Sequence, residues 1–163
     1  ALLLSASMGV AYAANLATLY IAYELVGFFI YPLVVHKETK EAFAIGNRYV
    51  YYIFVPGKIF LLACFLAYGL SGTMDLTQHG MFPPNVDPTL ITIAFILFLI
   101  GISKAAMIPF HVWMPISAKV SPLPVIATMA AVDIGAFGIL RADSIWDFHS
   151  SSLHHLRSLS LPL

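Results

Sequence analysis

Long apolar runs alternate with short polar interruptions along this chain, and the run lengths carry the first inference. Residues 1–9 read as the end of one helix, and an apolar stretch then extends from about Val10 to Val35. The hydrophilic segment HKETKEAFAIGNR follows, with His36, Lys37, Lys40 and Arg48. A second apolar run covers Tyr49 to Leu70, and the glycine, proline and aspartate residues of SGTMDLTQHGMFPPNVDP predict a loop after it. A third run covers Thr89 to about Ile108, extended past prolines to Met114, and a fourth starts at SPLP and stops at Leu140 before Arg141. A helix needs ~20 residues to cross a hydrocarbon layer of about 30 Å, and these four runs are long enough. The pattern predicts an all-α, polytopic transmembrane helix bundle. Residues 1–141 form its membrane domain, the end of one helix plus four spans, and 142–163 a polar, low-complexity tail.

Composition sharpens this picture. Hydrophobic residues make up 60% of the 163 and charged residues 10%, against roughly 25% charged in a soluble domain. The lipid bilayer is therefore the expected solvent. The formal net charge is zero, which gives no reason to expect a nucleic-acid partner. Cys64 is the one cysteine, placed in mid-run, and reads as a buried structural thiol. The opening ALLLSASMG has no basic n-region, so no signal peptide is expected, and the first run reads as cut short. Basic residues in short loops place His36 to Arg48 on the cytoplasmic side and Gly72 to Pro88 outside. Tyr49, Tyr51 and Tyr52 stand at a span end and read as an interfacial aromatic belt.

Each span carries one ionisable residue well inside it: Glu24, Lys58, Lys104 and Asp133. Left unpaired and facing lipid, four such groups would cost on the order of 10 kcal/mol. They are either structural ion pairs that hold helices together or the lining of a proton or ion pathway. A lysine suits the pathway, because moving its carboxylate partner switches its proton occupancy.

The third run holds the sharpest feature, GISKAAMIPFHVWMP at 101–115. Pro109 has no amide hydrogen, so the carbonyl of Ala105 loses its helical donor. Pro109 and Pro115 therefore predict a proline-broken helix beside Lys104. Broken helices at membrane depth persist where protein or water satisfies the freed backbone, the setting that ion hopping requires. His111 follows the break, as a relay member or a structural residue. No second His, Cys or carboxylate stands beside it at ligand spacing, so no metal is expected, and no span has a central histidine for haem. No cofactor site of its own is expected in this chain.

AANLATLYIAYELVGFFIYPLVVHK together with GISKAAMIPFHVWMPISAKVSPLPV resembles the antiporter-like proton-translocating subunits of the complex I superfamily. These occur in NADH:quinone oxidoreductase, in Mrp-type multisubunit sodium/proton antiporters and in membrane-bound hydrogenases. The shared pattern is a span-centred Glu after a polar AN, a Lys in a broken helix followed by PFHxWLP, and a PxP helix start. The resemblance implies that Glu24 is the acid beside the half-channel and Lys104 the residue that takes up and releases the proton. It places His111 in the linking turn, and gives Pro109, Pro115, Pro122 and Pro124 the shaping of the break and of the next helix. Lys58 matches no position of the pattern. Ala130 stands where the family's relay His is expected, and Ala136, or Asp133 with two residues deleted, where its Lys is expected.

The resemblance implies a multi-pass subunit in a bacterial or archaeal cytoplasmic membrane, or in an organelle inner membrane. Its partners would be other membrane subunits and its cargo H+, with Na+ as the alternative ion. Any redox chemistry would belong to those partners. Two other readings stand beside this one: a sodium/proton antiporter component with no redox enzyme attached, and a non-conducting truncated scaffold.

Overall fold

Hydropathy locates the helices of this chain, and capping side chains decide where they begin. The computed structural model describes residues 1–76, 81–83, 85–102 and 131–140. Among them the chain forms helices α1 (Leu2–Ala11), α2 (Leu16–Val34), α3 (Lys40–Ser71), α4 (Pro88–Gly101) and α5 (Ala131–Leu140). No strand forms among the described residues. An isolated bridge pins the loop after α3 to the start of α2: Leu16 N–H donates to the Met74 carbonyl at 2.8 Å, and Leu76 N–H to that of Ala14 at 2.9 Å.

The span expected from Val10 to Val35 is divided between two helices. The chain leaves α1 at Tyr12, and Asn15 turns extended, with φ −145° and ψ 161°. Its side chain accepts from Thr18 N–H at 2.8 Å. That bond satisfies one of the donors a helix start leaves open, so a polar cap overrides continuous hydropathy.

The hydrophilic stretch expected as a loop up to Arg48 is helical from Lys40 onward. Thr39 Oγ1 accepts from Ala42 N–H at 3.1 Å, and Glu41 places a negative charge in the positive first turn. Ala42, Gly46, Tyr49 and Ile53 are buried at helical spacing, so a packed stripe carries the helix through its polar start. The 32 residues of α3 extend about 48 Å at 1.5 Å each, more than a hydrocarbon core requires. The helix ends at Gly72, whose φ of +74° suits a residue without a Cβ.

Helix α4 begins with Pro88 behind Asp87, whose carboxylate accepts from Thr89 N–H at 2.8 Å. It ends at Gly101, and the rest of the expected run, to Ile108 and on to Met114, lies outside the described residues after Ile102. Lys104, Pro109, His111, Pro115, Pro122, Pro124 and the tail lie outside the described residues. The prolines found inside described helices are others, Pro32 in α2 and Pro56 in α3.

α1 packs on α2, α2 on α3, and α3 on α4. Contacts that descend α2 while climbing α3 show an antiparallel pair: Tyr31 meets Gly46, Gly27 meets Tyr49, Glu24 meets Gly57 and Tyr20 meets Phe60. Phe60 is the hub. Tyr20, Tyr23 and Phe98 stand edge-on to it, with ring centroids 5.5, 5.5 and 5.2 Å away, the geometry that ring quadrupoles favour.

Tyr49 departs from the expected aromatic belt. It is fully buried, and its hydroxyl donates to the Gly27 carbonyl at 3.2 Å, bridging α2 and α3. Cys64 is buried as expected. Outward, α2 presents Ile21, Leu25 and Phe28, and α3 presents Tyr51, Val55, Leu62 and Phe65. Helices α2 and α3 are each long and apolar enough to cross a membrane, and those stripes suit lipid.

Candidate functional site

The α2–α3 contact encloses an acid. Glu24 lies midway along α2, about two and a half turns past the Asn15 cap, on the side that faces α3. Its Oε2 is shielded from solvent. The carboxylate rests directly on the backbone of Gly57: a Cβ there would lie 2.5 Å from Oε1 and 2.8 Å from both Cδ and Oε2. The missing side chain of Gly57 is therefore the recess that receives the acid.

Pro56 precedes that glycine, and both are buried within α3. With no N–H at Pro56, the Tyr52 carbonyl has no i→i−4 donor. The carboxylate thus sits beside an interruption in the hydrogen-bond ladder of a membrane helix. Backbone of this kind is tolerated at membrane depth where protein or water surrounds it.

Aromatic side chains form the walls. The Phe60 hub lies one turn beyond Gly57, and Gly27, whose carbonyl takes the Tyr49 hydroxyl, lies one turn from Glu24 along α2. The end of α4 closes over Phe60. A Cβ at Gly101 would lie 2.5 Å from the N, Cα and Cβ of Phe60, so the two backbones meet with no room for a side chain. Lys104 follows Gly101 by three residues in sequence. At Gly138 of α5, a Cβ would lie 3.7 Å from Ile102 Cδ1, an ordinary contact.

The ionisable residues singled out in the sequence do not share one environment. Glu24 is half-buried with its carboxylate turned inward. Lys58, one residue beyond Gly57, is exposed on the outer side of α3, and Asp133 is exposed on α5. The structure does not bring these three together. Gly57 and Pro56 are site residues that the sequence reading passed over. The signal was a Pro-Gly pair inside an apolar run, which marks close backbone approach when it is neither a loop nor a helix end.

In the loop before α4, the hydrogen bond from Thr89 holds the Asp87 carboxyl below its ordinary range. This group caps a helix and has no contact with the Glu24 recess. Among the described residues no three His, Cys, Asp or Glu side chains gather as a metal site would require. What the recess offers is a carboxylate that can hold or release a proton beside a helical turn that lacks its Pro56 donor.

Comparison with known proteins gives this geometry a context. The family described as NADH:quinone oxidoreductase/Mrp antiporter, transmembrane, matches residues 13–160. A probable inorganic carbon transporter subunit of Halothiobacillus neapolitanus is 32% identical over 157 residues, covering 88% of this chain and 27% of its own. Subunit N of the NADH-quinone oxidoreductase of Granulibacter bethesdensis is 31% identical over 144 residues, covering 84% of this chain and 30% of its own. The fold matches a chain of the membrane-bound sulfane sulfur reductase, an archaeal respiratory membrane complex. There the TM-score is 0.79 at 24% identity, over 97% of this chain and 33% of the other. The chain spans about a third or less of the length of each.

Proposed function

The chain belongs to the NADH:quinone oxidoreductase/Mrp antiporter transmembrane family and is an integral membrane protein, and on that premise we propose that it translocates protons through Glu24 and Lys104. Glu24 holds a proton in the Gly57 recess, and Lys104 takes it up and releases it. The observation that carries the reading is the placement of Glu24. Its carboxylate is seated inside the bundle against an interrupted turn of α3. One turn further along α3, Gly101 presses the end of α4 onto Phe60, and the chain continues from there toward Lys104. An acid that served packing alone would not need a glycine and a proline side by side on the facing helix.

Relatives of this chain are subunits of membrane complexes, so the working unit is the assembled complex, with other membrane subunits as partners. One relative is a probable inorganic carbon transporter subunit. His111 is a further candidate for the relay.

The test is proton pumping by the assembled complex in sealed vesicles. Lys104→Ala and Glu24→Gln should each abolish most of the flux while the complex still assembles. Unaltered pumping in Lys104→Ala overturns the proposal. Flux that depends on sodium and not on protons alone assigns the ion to Na+ exchange.

A further inference from the structure

The feature this function leaves unused is Lys58. It lies nine residues beyond Tyr49, where the apolar run of α3 begins, and thirteen before Ser71, where the helix ends. At 1.5 Å per residue the ammonium stem starts roughly 13 Å from one end and about 20 Å from the other. That is mid-membrane depth, farther from either interface than a lysine stem can climb. Gly57 beside it faces Glu24, yet Lys58 is exposed.

Around Lys58 the outer face of α3 is shaped as well as charged. Asn47, Val50, Tyr51, Phe54, Val55 and Lys58 line an open groove of about 490 Å³. Tyr51 is 64% exposed, and Leu62 and Phe65 continue the same stripe at helical spacing. An apolar stripe alone would call for lipid. A lysine at its centre, at a depth where lipid offers no polar partner, calls for a protein partner. A headgroup phosphate stays at the interface, beyond reach.

We infer that this face of α3 is a lateral interface for a transmembrane helix of a neighbouring subunit, one that carries an Asp or Glu at the depth of Lys58. Charge complementarity fixes the chemistry of the partner. The groove between Tyr51 and Val55 receives an apolar side chain one turn from that carboxylate. A separate subunit is the occupant because relatives of this chain work as subunits of membrane complexes. The inference does not depend on whether Glu24 and Lys104 carry protons.

Photo-crosslinking residues placed singly at Tyr51 and at Val55 in the complete complex, in native membranes, test it. The expected product is an adduct to another subunit, mapped to a membrane helix with Asp or Glu within a turn of the linked position. Lys58→Met, which suits hydrocarbon and keeps the helix inserted, should lower the yield at least about tenfold, and Lys58→Arg should retain it. Adducts to lipid only, adducts confined to the same polypeptide, a partner helix without a carboxylate, or a yield indifferent to Lys58→Met would each overturn the inference. Because neither Tyr51 nor Val55 touches the Glu24 recess, proton pumping in the crosslinker-bearing chains reports separately on the proposed function.

Discussion

Replacing Gly57 with alanine adds one methyl group directly against the Glu24 carboxylate. The new Cβ would lie 2.5 Å from Glu24 Oε1 and 2.8 Å from Oε2 and Cδ, whereas unstrained carbon contacts need about 3.5 Å. The carboxylate must therefore withdraw by about 1 Å. It is the far end of a flexible side chain, so the fold gives way there and the helices stay packed. Alanine also favours a helix over glycine by ~1 kcal/mol, so thermal stability should hold or rise slightly. A misplacement of ~1 Å in a reacting group can cost on the order of 100-fold in rate. Gly57→Ala should thus separate function from stability, with proton flux in vesicles falling at least tenfold while the melting temperature and the amount of assembled complex stay unchanged. Native flux with native stability would refute the claim that the recess positions the acid. A collapse of stability would show that Gly57 serves packing alone.

Three further outcomes follow from particular contacts. Gly101→Ala drives a Cβ into the backbone of Phe60, which cannot retreat as a side chain tip does, so it should destabilise by about 1–3 kcal/mol in equilibrium unfolding from mild detergent. Tyr49→Phe removes the buried donor to the Gly27 carbonyl and should cost ~0.5–1.5 kcal/mol by the same measurement, with no change in membrane insertion. The Asp87 carboxyl sits below its ordinary range because Thr89 donates to it. The cap it provides is present above the ordinary range and lost as pH falls through the lowered value. Asp87→Asn should abolish that acid-dependent loosening of the loop, as read by hydrogen exchange of the first turn of α4.

The helical class and the end of the second span were legible in the sequence because hydropathy and length report them directly. Facing was not. Lys58 and Glu24 look alike in a hydropathy pattern, since depth says how far a residue lies from the interface and nothing about which side of its helix it occupies. The break before α2 was hidden by an apolar stretch in which Asn15 is the only strong cap. The early start of α3 was hidden by charge, although Ala42, Gly46 and Tyr49 already carried the helical period. The recess at Gly57 could not be read at all without the antiparallel register of α2 and α3, because the two residues that meet there are 33 positions apart.

A double-mutant cycle on Glu24 and Lys104 tests the central claim most directly. Initial rates of proton uptake would be compared in vesicles carrying the native complex, Glu24→Gln, Lys104→Met, and both changes together. If the two residues hand on one proton, each single change removes most of the flux and the double variant is no worse than either alone. Full flux in either single variant, or losses that simply multiply in the double variant, would contradict the account.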